Sequence, residues 1–220
     1  MPSSTVEDYV KAIYALQRDS SAGEATVARL ASVLGVTKGS VTAMVRKLCE
    51  GGLADSARYG GITLTEKGRT LALDVVRRHR LIEVFLVDVL GFDWSEVHDE
   101  AERLEHAMSA RLLDRLDEYL GRPAIDPHGD PIPDAQGRLP VVDHTPLAKL
   151  GSGDKGVVAR VSDQDPEFLD FAASSGLTPG SRVAVVEVVP AAGSMRVEPF
   201  RKPAVSLSLA AAGNVCVEQA

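Results

Sequence analysis

The run Thr37-Lys38-Gly39-Ser40-Val41-Thr42-Ala43-Met44-Val45-Arg46-Lys47-Leu48-Cys49-Glu50-Gly51-Gly52 reads as a helix with two unlike faces. Val41, Met44, Val45 and Leu48 recur at helical spacing and predict a buried stripe. Gly39, Ser40, Thr42, Ala43, Arg46 and Lys47 stay on the other side. Thr37 can cap the helix start, and Gly51-Gly52 stops it. Upstream, Val27, Leu30, Ala31 and Leu34 mark a short helix closed by Gly35, and Ser4-Thr5-Val6-Glu7 opens a first helix that ends near Arg18. Downstream, residues 53–56 and 62–65 are short extended runs flanking Ala57-Arg58-Tyr59-Gly60-Gly61, a hairpin signal. Helix, turn, helix and wing follow in order, as in a winged helix-turn-helix.

Thr65 can cap a long helix running to about residue 90 and closed by Gly91, and Ser95 a further one in which Val97, Ala101, Leu104 and Met108 recur. A third helical stretch carries Leu112, Leu113, Leu116 and Leu120. This apolar stripe suits a dimerisation surface and equally the ordinary core of a helical domain. Residues 121–146 hold six prolines and predict an extended linker. Beyond it, residues 157–161, 183–189, 195–197 and 205–209 are short β-branched runs, with one helix around 166–174, which together predict a small β-barrel. The expected domains are 1–72 (DNA-binding), 73–140 (helical, with the Pro-rich linker) and 145–220 (β-rich).

The 220 residues are 45% hydrophobic and 25% charged, the composition of a globular protein. No apolar run approaches the roughly 20 residues a membrane span needs. Without a secretory signal at the start, the cytoplasm is the expected location. Cys49 and Cys216 match neither a disulfide framework nor a zinc knuckle. The net charge of −7 hides its distribution. Residues 37–80 carry nine basic against four acidic side chains, whereas residues 81–120 carry eleven acidic against three basic. An anion-binding module is thus followed by a cation-binding one. Thr37, Lys38, Gly39, Ser40, Thr42, Ala43, Arg46 and Lys47 form the candidate DNA-contacting set, joined by Arg58 and Tyr59 at the wing tip. Small residues permit close approach to base edges, hydroxyls can reach phosphates, and the Ala43 methyl suits a thymine methyl.

His79, His98 and His106 fall within 28 residues of the acidic block. His79 and Glu83 are one helical turn apart, and His98, Glu102 and His106 repeat that spacing with Glu105 adjacent. Imidazole and carboxylate in phase suit a divalent cation. A lone histidine is ordinarily structural, which is the reading for His128 and His144. A metalloenzyme lacks support: there is no HExxH, and Arg103 occupies the position that an ExxH repeat ending at His106 requires for Glu.

Four stretches together carry a resemblance: Val6-Glu7-Asp8-Tyr9, Arg77-Arg78-His79-Arg80-Leu81-Ile82-Glu83, the run from Glu96 to His106 (Glu-Val-His-Asp-Glu-Ala-Glu-Arg-Leu-Glu-His), and Asp130-Pro131-Ile132-Pro133. Over nearly its whole length the chain resembles the diphtheria toxin repressor family of iron- and manganese-dependent regulators. The resemblance implies a winged helix, a helical metal-binding and dimerisation domain, and an SH3-like third domain. It implies metal-loaded homodimers on palindromic operator DNA, repressing metal-uptake genes, and no enzymatic activity. One site would use Asp8, Glu102, Glu105 and His106, the other His79, Glu83 and His98, with Asp165 or Glu167 added from the third domain. Iron-responsive members carry sulfur ligands where this chain has Asp8 and Glu102. Carboxylates harden the site, so Mn(II) is the expected ion and Fe(II) the other candidate. Lys11 stands where members with a closely spaced binuclear site carry an acid. The alternative is a metal-independent winged-helix regulator that answers a small organic effector.

Overall fold

A computed structural model describes residues 3–18, 24–57, 61–140, 144–162 and 165–219, with residue 219 described by its backbone only. The chain divides into two compact units, one drawn from residues 1–79, 105–108 and 133–138, the other from residues 80–104, 109–132 and 139–220. Among the described residues no helix is long and apolar enough to cross a membrane.

The first unit begins with α1 (Ser4–Arg18), α2 (Val27–Val33) and α3 (Lys38–Glu50), followed by strands β1 (Ala54–Ser56) and β2 (Ile62–Leu64). Thr26 and Thr37 accept hydrogen bonds from the backbone N–H groups of Arg29 and Ser40, capping α2 and α3. Val10, Ile13, Leu30, Val41 and Leu48 are fully or almost fully buried, so the stripe expected on α3 is a core face. Met44 departs from expectation: it lies at the margin of that stripe and is only half-buried. β1 and β2 pair antiparallel, Ala54 opposite Leu64 and Ser56 opposite Ile62, which makes the wing. Arg58 and Tyr59, expected at its tip, lie outside the described residues. α4 (Glu66–Asp88) starts where the Thr65 hydroxyl accepts from the Gly68 N–H, and its residues up to His79 belong to this unit.

In the second unit, α5 (Val97–Glu105) contributes all but its last residue, followed by α6 (Ala110–Tyr119). α5 ends before Met108, so Met108 does not extend its apolar face, and Leu104 is exposed. On α6, Leu113 is buried while Leu112 is 54% exposed, leaving apolar surface uncovered in the single chain. The expected linker is not slack chain: Asp126, His128, Asp130 and Ile132 are buried, and Ile125 bridges Pro131 to close a tight turn. Its prolines restrict the backbone without preventing it from packing.

The rest is a six-stranded antiparallel sheet ordered β3-β8-β4-β5-β6-β7, built from β3 (Thr145–Pro146), β4 (Lys155–Val161), β5 (Arg182–Val189), β6 (Ser194–Pro199), β7 (Val205–Ser208) and β8 (Val215–Gln219). This is the SH3-like domain. α7 (Pro166–Ser175) and α8 (Leu209–Gly213) connect its strands, and Leu147, Val158, Leu169, Leu177, Val185 and Val197 fill its core. β3, β8 and α8 were missing from the sequence reading. Two residues are too few for a periodic signal, and Ala-rich 209–213 carries no alternation.

A Cβ added to Gly68 would lie 1.9 Å from the backbone oxygen of Leu53. Alanine is the better helix former by about 1 kcal/mol, yet Gly68→Ala is expected to destabilise by about 1–3 kcal/mol through overpacking against backbone. Chemical denaturation of the two proteins measures it; a gain in stability would contradict this packing.

Candidate metal centre

In the first unit, α1 supplies Glu7, Asp8 and Lys11, α4 supplies Asp74, Arg78 and His79, and the end of α5 supplies Glu105, with His106 just beyond it. Asp8, Glu105 and His106 each offer one ligand atom, all within 4.8 Å of one another. His106 Nε2 lies 2.7 Å from Asp8 Oδ1 and 3.5 Å from Glu105 Oε1. Its other nitrogen, Nδ1, is 2.7 Å from Glu7 Oε2. Proton donation from Nδ1 to Glu7 leaves the Nε2 lone pair to a cation on the Asp8 side, the usual way an outer carboxylate orients a ligating imidazole.

Glu7 is itself held. Arg78 donates to both its oxygens, at 3.2 and 3.0 Å, and also to Asp74 and to the backbone oxygen of Glu105. Burial pushes the Glu7 carboxyl up, but the Arg78 guanidinium and His106 outweigh burial and hold it below its ordinary value. For His106, burial works against the charged form. The hydrogen bond to Glu7 and the charges of Asp8 and Glu105 prevail and raise its pKa. The metal-free centre therefore favours a proton on His106 where an ion would sit.

Glu105 has a fully buried side chain. Its Oε2 is 2.8 Å from Lys11 Nζ and 2.7 Å from His79 Nδ1, with Lys11 Nζ also 3.0 Å from that nitrogen. Its Oε1 is buried and makes no hydrogen bond. A buried carboxylate oxygen left bare is costly. Facing His106 Nε2, with an Asp8 ligand atom within reach, it fits a hard divalent cation.

The second unit has its own cluster. Glu83, almost fully buried on α4, has Oε1 3.5 Å from His98 Nδ1 and Oε2 3.9 Å from His128 Nδ1. Glu83, Asp126 and His128 present ligand atoms within 4.8 Å of one another. Asp126 Oδ1 accepts from the backbone N–H groups of His128 and Asp130. Burial, then the neighbouring Glu83 and Asp130 charges, push the Asp126 carboxyl well above its ordinary value, against the pull of Arg80. His128 Nε2 is 2.8 Å from the Trp94 backbone oxygen, and its buried Nδ1 has no hydrogen bond. A carbonyl accepts only from N–H, so Nε2 carries a proton, and the buried Nδ1 faces Glu83 and Asp126. That set also suits a cation.

Of the remaining expected ligands, His79 engages Glu105 and Lys11 as described, one helical turn before Glu83. Glu102 is half exposed on α5, 3.8 Å from His98 Nε2. Asp165 caps α7, its Oδ1 accepting from the N–H groups of Glu167 and Phe168, and Glu167 is exposed. On α3, Gly39, Ser40, Thr42, Ala43, Arg46 and Lys47 are all exposed as expected. The Thr42 hydroxyl donates to the Lys38 carbonyl, and Thr37 and Ser40 hydroxyls lie 3.0 Å apart. Glu7, Arg78, Asp126 and His128 were missed as site residues. Glu7 and Arg78 act only through their partners. Asp126 and His128 sit in a proline-rich segment whose composition reads as linker, although two acids flanking a histidine were a signal.

Three family descriptions match the chain: the iron dependent repressor N-terminal DNA binding domain over residues 1–62, the iron dependent repressor metal binding and dimerisation domain over 65–134, and the FeoA domain over 145–219. The iron-dependent repressor IdeR of Mycobacterium tuberculosis is 36% identical over 202 residues, covering 86% of each chain. The HTH-type transcriptional regulator MntR of Oceanobacillus iheyensis is 37% identical over 120 residues, 54% of this chain and 80% of that one. Among solved structures, a manganese-dependent transcriptional repressor in complex with manganese superposes with a TM-score of 0.92 at 43% identity, covering 98% of this chain and 100% of that one.

Because the folded-state pKa of His106 is raised, its contribution to metal-free stability is complete below the ordinary imidazole value of about 6.5 and is lost as pH climbs through the higher folded value. Chelator-treated protein is expected to lose stability as pH rises above about 6.5, with a shallower loss in Glu7→Gln. Denaturant titrations across that range check both; a Glu7→Gln slope equal to wild type would disprove the pairing.

Proposed function

Since the chain belongs to the diphtheria toxin repressor family of iron- and manganese-dependent transcriptional repressors, in its manganese-responsive branch, we propose that Mn(II) held by Asp8, Glu105 and His106 switches it into its DNA-binding form. The observation that carries this reading is the bare, buried Glu105 Oε1 beside His106 Nε2 and Asp8. Carboxylate and imidazole without sulfur favour Mn(II) by ligand type, with Fe(II) as the other ion such a set accepts. Lys11 supplies a positive charge to Glu105 Oε2 beside His79, which supports a single ion here and not a closely spaced pair.

An ion at this position draws Asp8 of α1 to the residues ending α5, and α1 packs in the same unit as the recognition helix α3. Metal thereby restricts how α3 is presented. In a homodimer two such helices would meet successive major grooves of a palindromic operator, about 34 Å apart or a multiple of it. A second ion would be held by Glu83 with His98, Asp126 and His128 of the second unit. Thr37, Lys38, Gly39, Ser40, Thr42, Ala43, Arg46 and Lys47, with Arg58 and Tyr59, contact the DNA, in the compartment where the chromosome lies, the cytoplasm.

Coupling is reciprocal: if metal tightens DNA binding, DNA must tighten metal binding by the same factor. Calorimetric titration of Mn(II) with and without operator is expected to give higher affinity with operator present. Equal affinities would defeat the coupling, and full operator binding after dialysis against chelator would favour the effector-responsive alternative. Glu105→Gln and His106→Ala are each expected to lose metal-dependent gel retardation while remaining folded dimers by circular dichroism and sedimentation. A wild-type response in either would remove that residue from the site.

A further inference from the structure

The second ion's ligands Asp126 and His128 stand on a turn, and the SH3-like domain grips that turn. The Val161 N–H at the end of β4 donates to the His128 backbone oxygen at 2.9 Å. Gly129, at φ +86°, lies so close to β4 that an added Cβ would come within 2.0 Å of the Ala159 carbonyl oxygen. At this point β4 bulges: its register against β8 shifts between Val158 and Arg160. Bulges re-aim side chains, often beside functional sites. Here Arg160 forms an ion pair with Asp130, Nε to Oδ1 at 3.0 Å, with the N–H not aligned for a hydrogen bond. The same Asp130 oxygen accepts from Arg80 of α4, whose guanidinium also bonds the Pro131 carbonyl. Asp130 is thus clasped between α4 and β4. On the other side Trp94 packs against the core of the domain, stacks on the His128 ring at 5.3 Å, and accepts the His128 Nε2 proton through its carbonyl.

We propose that the SH3-like domain positions the second metal site through this turn: Arg160, by clasping Asp130, and Trp94, by orienting the imidazole, hold Asp126 and His128 against Glu83. Arg160 and Trp94 are positioning residues. They touch no ion, and they fix where two of its ligands stand. The inference rests on the reading of Glu83, Asp126 and His128 as ligands. It adds that the affinity of this site depends on a side chain of the β domain.

Trp94 is the only tryptophan of the chain and therefore a built-in reporter. Mn(II) is paramagnetic and quenches a neighbouring indole at short range. The experiment uses the full-length chain and Mn(II) alone, following Trp94 emission together with free Mn(II) by electron paramagnetic resonance. Wild type is expected to show one class of bound Mn(II) whose filling quenches Trp94. Arg160→Met should weaken that class by about tenfold, as loss of an outer-sphere partner typically does, and leave the other class unchanged. Arg160→Lys, which keeps a cation beside Asp130, should recover most of the affinity, a rescue that general loss of packing would not give. Asp130→Asn serves as a second variant on the other side of the clasp and should also weaken the quenching class. Quenching in Arg160→Met and Asp130→Asn at wild-type Mn(II) concentrations would overturn this inference alone. Bound Mn(II) with no quenching class in wild type would overturn it together with the assignment of Asp126 and His128 as ligands.

Discussion

A carboxylate buried away from water must be met by positive charge or by donors, and Glu105 is where this constraint acts most strongly. Its two oxygens are treated differently. Oε2 is answered by Lys11 and His79, Oε1 by nothing but the approach of His106 Nε2. The surrounding polar network follows from that asymmetry. Arg78 holds the Glu105 backbone and Glu7 together, Glu7 orients His106, and His106 faces Asp8. Removing one member leaves another buried charge uncompensated, so the group behaves as a unit rather than as separate pairs.

The metal-free chain satisfies part of this demand with its own cations. The raised basicity of His106 and the Lys11–Glu105 ion pair offset repulsion among the acids. On the proposed reading an ion would compete with a proton at His106 Nε2, whereas Lys11 is tethered to a helix and stays. On that reading the Lys11 charge limits how many metal charges the first centre can accept, and protons compete with the ion at His106. As the proposed ligands, the hard oxygens of Asp8 and Glu105 would favour an ion such as Mn(II) over thiophilic competitors.

Around Glu83 the same electrostatic demand is met by a different construction. Asp126 and Asp130 share the Arg80 guanidinium, while Glu83 faces the buried His128 ring. The turn that carries two of these groups is anchored to β4, so the SH3-like domain bears on the geometry of the cluster through backbone contact and one arginine. α4 runs through both arrangements, with Arg78 and His79 in one unit and Arg80 and Glu83 in the other.

Local patterning in the sequence determined the winged helix-turn-helix, the long helix α4, most β-rich segments and the in-phase histidines and acids. Each depends on spacing along one element: a 3.6-residue stripe, a capping hydroxyl, a Gly-Gly stop, an i to i+4 pair. Only the tertiary structure decided that Glu7 and Arg78 orient His106, that Lys11 neutralises Glu105 across 94 positions of sequence, and that the proline-rich run folds into a buried turn holding Asp126 and His128. Those outcomes depend on which buried charges come to lie beside each other once the helices pack. Separation in sequence carries no trace of that, because desolvation and Coulomb attraction act on distance in space.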